Sequence, residues 1–151
     1  MYKRQVLDKE IIQAVGLSNL VIDFVTRAES AELARREQVY RGGRPPLDVQ
    51  GKTVILVDDG IATGASLRAG VRALRKIQPK AIVIAAPVAP RATVNQLRRE
   101  VDEVICAVIP EGFRGVGQFY QDFSEVSDEE VNELLNRASP QRQQAATSPR
   151  R

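Results

Sequence analysis

An α/β fold with a parallel sheet flanked by helices is expected for this chain of 151 residues, on two observations. Short β-branched, apolar runs alternate with stretches of helical spacing in a βαβαβ order, which brings parallel strands together through crossover helices. The length suits one domain that buries on the order of two-thirds of its unfolded surface.

The elements follow in order. Residues 18–40 read as a helix: Ser18 can cap it, and Val21, Phe24, Val25 and Ala28 follow the spacing of a buried face. The run Arg41-Gly42-Gly43-Arg44-Pro45-Pro46 then breaks it as a loop. Residues 53–57 are apolar almost throughout, as expected of a strand buried on both faces. Residues 66–77 have helical spacing at Leu67, Val71 and Leu74, and a second buried strand, 81–88, follows Pro79. Residues 93–101 make a short helix and 103–109 a third strand containing Cys106. Beyond it, 112–123 gathers Phe113, Phe119, Tyr120 and Phe123 among three glycines, an aromatic, hood-like C-terminal segment. Ser127-Asp128-Glu129-Glu130 is a capping box for a final helix carrying Val131, Leu134 and Leu135 on one side.

Composition excludes several function classes. The chain has no histidine and one cysteine, which removes Ser-His-Asp and Cys-His chemistry, His-ligated metals and internal disulfides, and fits a cytoplasmic setting. No apolar run approaches the roughly 18 residues of a membrane span. The net charge of +3 belongs to the ends. Five of the 22 bases lie in residues 1–5 and 139–151, leaving 17 against all 19 acids in residues 6–138, so the body is at −2. A nucleic-acid partner is therefore not expected, because its basic patch would sit on the folded body.

The organisation expected is a domain over 6–138 between two irregular ends. Residues 139–151 hold Gln, Ser, Pro, Ala and Arg without apolar periodicity and should form a disordered tail. Met1-Tyr2-Lys3-Arg4-Gln5 can be read back as GTG TAT AAG AGA CAG, which resembles a transposon adapter end. These five residues are treated as a non-native scar, with the expectation that the gene was cut at its 5′ side.

The chemistry concentrates in Val54-Ile55-Leu56-Val57-Asp58-Asp59-Gly60-Ile61-Ala62-Thr63-Gly64-Ala65-Ser66. A buried strand leads through a loop of small residues into a helix, where N–H groups converge with the positive end of the helix dipole. Gly60 and Gly64 would let the backbone approach an anion, and the Thr63 and Ser66 hydroxyls add donors. The loop lacks the lysine of a nucleotide-hydrolysing P-loop. Asp58 and Asp59 can accept hydrogen bonds from vicinal hydroxyls, so acids for a diol beside a phosphate cradle describe a ribose 5-phosphate site. An acidic turn and a helix cap would explain Asp58-Asp59-Gly60 alone, but not the whole order.

This stretch resembles the phosphoribosyl-pyrophosphate (PRPP) motif of type I phosphoribosyltransferases. The context from Arg36 to Gly60 and from Phe113 to Glu130 is similar to a bacterial subgroup named only as predicted phosphoribosyltransferases. The resemblance, over about residues 6–138, implies that PRPP is a substrate and that its ribose 5-phosphate passes to an unidentified nitrogenous acceptor with loss of pyrophosphate. It implies Asp58 and Asp59 on the ribose hydroxyls, Ile61 to Ser66 around the 5-phosphate, and Mg2+ carried by PRPP with no protein ligand set of its own. Tyr40, Arg41 and Arg44 fall where such enzymes carry a mobile loop over the site; a solvated linker would read the same way. The segment from Phe113 to Phe123 reads as a hood stacking on the acceptor base or, equally, as a core or homodimer contact.

Two departures qualify the resemblance. Ala62 stands where the hypoxanthine-guanine enzymes place an aspartate. Residues 6–50 show no strong strand and glycine turn to serve as the family's upstream pyrophosphate loop, so this chain is expected to bind PRPP weakly and turn over poorly. A non-catalytic relative that binds PRPP or a nucleotide and regulates a partner is the competing reading. A phospho-receiver is rejected, since Pro87-Val88-Ala89 and Ile109-Pro110 offer no strand-ending aspartate. Cys106 is expected to be a packing residue, and Arg35-Arg36-Glu37 and Arg98-Arg99-Glu100 solvated helix faces.

Overall fold

β-Branched residues make up most of Thr53–Val57 (β1) and half of Ala81–Val88 (β2) and Glu103–Val108 (β3), the three strands of the computed structural model. The structure describes residues 12, 15–42 and 47–138. The expected scar (1–5), tail (139–151) and the part of the proline-rich loop at 43–46 lie outside the described residues. The described residues fall into two units, residues 47–123 in one and residues 12, 15–42 and 124–138 in the other.

In the first unit the strands are parallel, in the order β1-β2-β3. Val57 stands beside Ala85, and Ala85 in turn beside Ile105. Parallel strands require crossovers, and the helices Ala65–Arg75 (α2) and Arg91–Leu97 (α3) supply them. Leu67 and Val71 of α2 and Val94 and Leu97 of α3 pack with Ile82, Ile84 and Val104 in one core. Ile82, Ile84 and Leu97 are fully buried, and each such side chain contributes on the order of 1.5–3 kcal/mol by leaving water. Cys106 is half-buried against this core, as its expected packing role requires.

Burial corrects one expectation. β1 alternates between exposed and half-buried positions, and Ile55 and Val57 are 60% and 76% exposed. Both helices of this unit lie on the other side and leave the face of Ile55, Val57 and Ile105 uncovered. A continuous apolar run therefore does not mean burial on both faces here.

In the second unit Asn19–Arg41 (α1) is capped by the Ser18 hydroxyl, which accepts from Val21 N at 3.4 Å, and ends at Gly42 in the left-handed region. Its expected buried face is not buried: Val21, Phe24 and Val25 are exposed, Phe24 by 74%. The half-buried positions include Ile22, Thr26, Val39 and Tyr40 instead, and the partner helix is Asp128–Ala138 (α4). On α4, Val131 is half-buried while Leu134 and Leu135 are exposed. The Ser127 hydroxyl accepts from Glu130 N at 3.2 Å, the forward half of the expected capping box. Among the described residues no helix is long and apolar enough to cross a membrane.

Candidate functional site

Because all three strands run the same way, the segments after β1, β2 and β3 leave from one edge of the sheet. The one after β1 is pinned there by its backbone. Asp58 N donates to Ala85 O at 3.2 Å, and Ile61 N donates to Val88 O at 2.9 Å, with the Ile61 side chain fully buried. Gly64 then caps α2 with no side-chain hydrogen bond, and the first turn of α2 holds no acidic residue. The helix thus presents first-turn N–H groups without an internal anion. Between these points lies a cavity of about 180 Å³, lined by Asp58 and by every residue from Gly60 to Leu67.

Asp58, Gly60, Ile61, Ala62, Thr63, Gly64, Ala65 and Ser66 are therefore brought together, while Asp59 lies off the cavity wall. Asp58 is half-buried, and burial raises its carboxyl pKa above the usual value of 3.8. Its Oδ1 accepts from Asp59 N at 3.1 Å. The Asp59 carbonyl accepts from the Tyr120 hydroxyl at 2.5 Å, so its backbone is committed to the aromatic segment.

The two glycines also serve the fold. A Cβ at Gly60 would stand 2.4 Å from Val116 Cγ1, so position 60 is small to admit Val116 while it lines the cavity. Gly64 has φ +74°, and a Cβ there would lie 3.2 Å from Thr93 Cγ2. Its lack of a side chain permits the left-handed turn and close packing on α3.

Four residues outside the motif complete the site. The Thr93 hydroxyl donates to Ala62 O at 2.8 Å. Arg68 reaches three acceptors: Thr63 O at 3.0 Å, Gln96 Oε1 at 2.7 Å and Glu100 Oε1 at 2.9 Å. Sequence spacing did not reveal these contacts, and Glu100 is not the solvated charge expected. A signal was nonetheless present. Arg68 is a cation in the first turn of a helix, on the wrong side of the dipole, and so calls for a nearby counter-charge.

The aromatic segment sits against this loop. Phe113 and Phe119 stack with ring centroids 5.9 Å apart, and Tyr120 meets Phe123 at 5.1 Å. Gln118 closes the turn, donating to Gly112 O at 3.0 Å and accepting from Arg114 N at 3.3 Å. A short 3-10 turn, Val116–Phe119, carries Val116 to Gly60.

Tyr40 and Arg41, expected in a mobile loop, are instead the last residues of α1, whose helical hydrogen bonding continues to Gly42 N; Arg44 lies outside the described residues. The Tyr40 hydroxyl donates to Asp128, and Arg35 pairs with the same carboxylate at 2.5 Å and with Glu32 at 2.8 Å. Arg35, Arg36 and Glu37 are exposed, as expected of a solvated helix face, and Arg35 and Arg36 join an ion-pair network on it.

Among the described residues no group of three or more His, Cys, Asp or Glu could hold a metal ion. The cavity offers hard oxygens only, from Asp58, Thr63 and Ser66, a donor set that fits Mg2+ held mainly by the oxygens of a polyanionic ligand.

Comparison with known proteins extends beyond this site. Residues 8–123 match the family model described as the phosphoribosyl transferase domain. A Mycobacterium tuberculosis protein, provisionally named a phosphoribosyl transferase, is 36% identical over 134 residues, covering 89% of this chain and 30% of its own length. The bifunctional protein PyrR of Haemophilus ducreyi is 33% identical over 72 residues, 46% of this chain and 40% of that protein. The crystal structure of TT1426 from Thermus thermophilus superposes with a TM-score of 0.66 at 34% identity, over 86% of this chain and 61% of that one. The chain thus spans less than half the length of the two named relatives.

Proposed function

The chain belongs to the phosphoribosyl transferase domain family, and from that membership we propose that it transfers ribose 5-phosphate from PRPP to a nitrogenous acceptor. The observation that carries the reading is the cavity at the N-terminus of α2, where Gly64 brings no side-chain cap and the Ala65 N–H donates to the Thr63 hydroxyl at 3.4 Å, with one half-buried carboxylate in the lining. N–H groups of residues 62–66 hold the 5-phosphate, and the Thr63 and Ser66 hydroxyls add donors. Asp58 accepts hydrogen bonds from the ribose hydroxyls. Asp59, off the cavity wall, acts on the ribose less directly than Asp58 and serves chiefly to join the loop to Tyr120.

The reaction is displacement at the anomeric carbon. Its bond to the pyrophosphate oxygen breaks, a bond to the acceptor nitrogen forms, and the acceptor's proton is lost. Mg2+, arriving with PRPP, supplies neutralising charge for the leaving pyrophosphate. The chain's own contribution is to orient the ribose phosphate and keep its charge satisfied by fixed dipoles. The segment 112–123, beside Asp59 and Gly60, is the proposed cover for the acceptor.

A second reading rests on a specific observation. Asp58 is the sole titratable group among the cavity-lining residues, and Ala62 offers nothing to handle a proton of the acceptor. A binding-only relative that senses PRPP or a nucleotide needs no such group. The full chain should be incubated with PRPP, Mg2+ and a panel of nitrogenous bases, with pyrophosphate release and PRPP binding measured together. Base-dependent release supports transfer. Binding without release selects the second reading; failure to bind PRPP overturns transfer, and failure to bind a nucleotide as well overturns both.

A further inference from the structure

The carbonyl oxygens of the phosphate loop are held from behind. Ala62 O accepts from Thr93, and Thr63 O accepts from Arg68, while neither Thr93 nor Arg68 lines the cavity. The described chain contains no cis peptide bond. In a trans peptide the carbonyl of one residue and the N–H of the next point in opposite directions. Fixing Ala62 O and Thr63 O toward α3 and Arg68 therefore turns the Thr63 and Gly64 N–H groups away from those braces, toward the cavity side of the loop.

The braces are themselves rigid. Thr93 is buried in α3, and its methyl stands against Gly64. Arg68 is 20% exposed in its side chain, and its planar fork is fully spanned by Thr63, Gln96 and Glu100. A lysine would replace the three separate nitrogens that make these contacts with one. Glu100 offsets the guanidinium charge, which would otherwise oppose the α2 dipole.

We infer that Arg68 and Thr93 are positioning residues that preset the Thr63 and Gly64 amides for an anionic ligand, without touching it themselves. This rests on the phosphate-loop reading above and names the residues through which α3 enforces it. Preset donors cost no rearrangement when the ligand arrives, so loss of the braces is read in affinity for a phosphate-bearing ligand.

The test is titration of the full chain with ribose 5-phosphate, followed by backbone amide resonances, for wild type, Arg68→Gln, Arg68→Lys and Thr93→Val. In wild type the Thr63 and Gly64 amide protons should move downfield on binding. Each variant should lose at least about tenfold in affinity, the equivalent of one hydrogen bond to a charged group, and the two amide shifts should shrink. A merely structural role would leave those two shifts at saturation as in wild type. Should Arg68→Gln fail to fold, Glu100→Gln frees the guanidinium more gently and should give a smaller loss of the same kind. Variants that keep wild-type affinity and wild-type Thr63 and Gly64 shifts overturn the inference alone. Wild-type protein that binds neither ribose 5-phosphate nor PRPP overturns the functional reading, and this inference with it.

Discussion

Val116 occupies the space into which a side chain at Gly60 would project, its Cγ1 2.4 Å and its Cγ2 2.8 Å from the position a Cβ would take. The segment 112–123 is therefore fitted to the loop after β1 by a missing methyl group. Gly60→Ala should displace it and cost about 1–3 kcal/mol, the usual penalty for overpacking a tight site. Val116→Ala removes both clashing carbons, so the double variant should recover part of that loss. Urea denaturation of the two single variants and the double gives the coupling; simple additivity would show that the two positions do not meet.

Asp58 combines a stability cost with a binding role. Burial raises its folded-state pKa, so the folded chain holds that proton more tightly than the unfolded chain. Asp58 therefore opposes folding above its raised pKa, and the penalty is relieved as pH falls through that value. Asp58→Asn should leave the melting temperature at pH 7 unchanged or raised. The same variant should lose about ten- to a hundredfold in PRPP affinity, the range for a hydrogen bond to a charged group. Wild-type affinity should fall on acidification at a pH above that of an ordinary aspartate. Calorimetric titration between pH 4 and 8 checks both, and a variant that melts lower but binds normally would contradict the assignment.

Much of this fold and its site was legible in local sequence. The strands at 53–57 and 81–88 coincide with those observed, because β-branched runs between turn signals leave little choice. Every residue from Gly60 to Ser66 lines the cavity, since strand, small-residue loop and helix must place them together. What stayed hidden depends on contacts distant in sequence. The purpose of Gly60 lies in Val116, 56 positions on, and the role of Arg68 lies in Glu100, 32 positions on. Periodicity also failed to say which face is covered: Phe24 keeps ideal helical spacing with Val21 and Val25, yet Ile22 and Thr26 are the more enclosed positions. Arg41 looked like a loop residue because glycines follow it at once, but the helix runs through it, and the Gly42 N–H still bonds Gln38 O.

The pairing of α1 with α4 should be acid-sensitive. Hydrogen bonds from Arg35 and Arg36 pull the Glu32 carboxyl from its usual 4.5 down to about 2, and Arg35 and Tyr40 hold the Asp128 carboxyl below its usual range. Folded pKa values lie below unfolded ones, so this stabilisation is complete above the unfolded values and is lost as pH falls through the folded ones. The window for Glu32 runs from about 4.5 down to about 2. Asp128→Asn removes the acceptor charge that Arg35 and Tyr40 share, and should flatten that part of the acid transition. Helical circular dichroism across the window checks this, and an unchanged profile in Asp128→Asn would place the acid sensitivity elsewhere.

The sheet should respond to mutation very differently on its two faces. Leu56 and Val57 are neighbours on β1, paired in register with Ile84 and Ala85 of β2, yet Ile84 is fully buried while Val57 is 76% exposed. The difference comes from the helical layer: Leu67, Val71, Val94 and Leu97 cover the Ile84 side. Ile84→Ala leaves a cavity among those side chains and should cost about 2–5 kcal/mol. Ile55→Thr and Val57→Thr keep β-branching and lose apolar surface that already faces water, so each should stay within about 0.5 kcal/mol of wild type. Urea denaturation at matched slopes separates the cases. A loss above about 1.5 kcal/mol at Val57 would mean that its face is covered in solution, and the asymmetry of the sheet would then have to be abandoned.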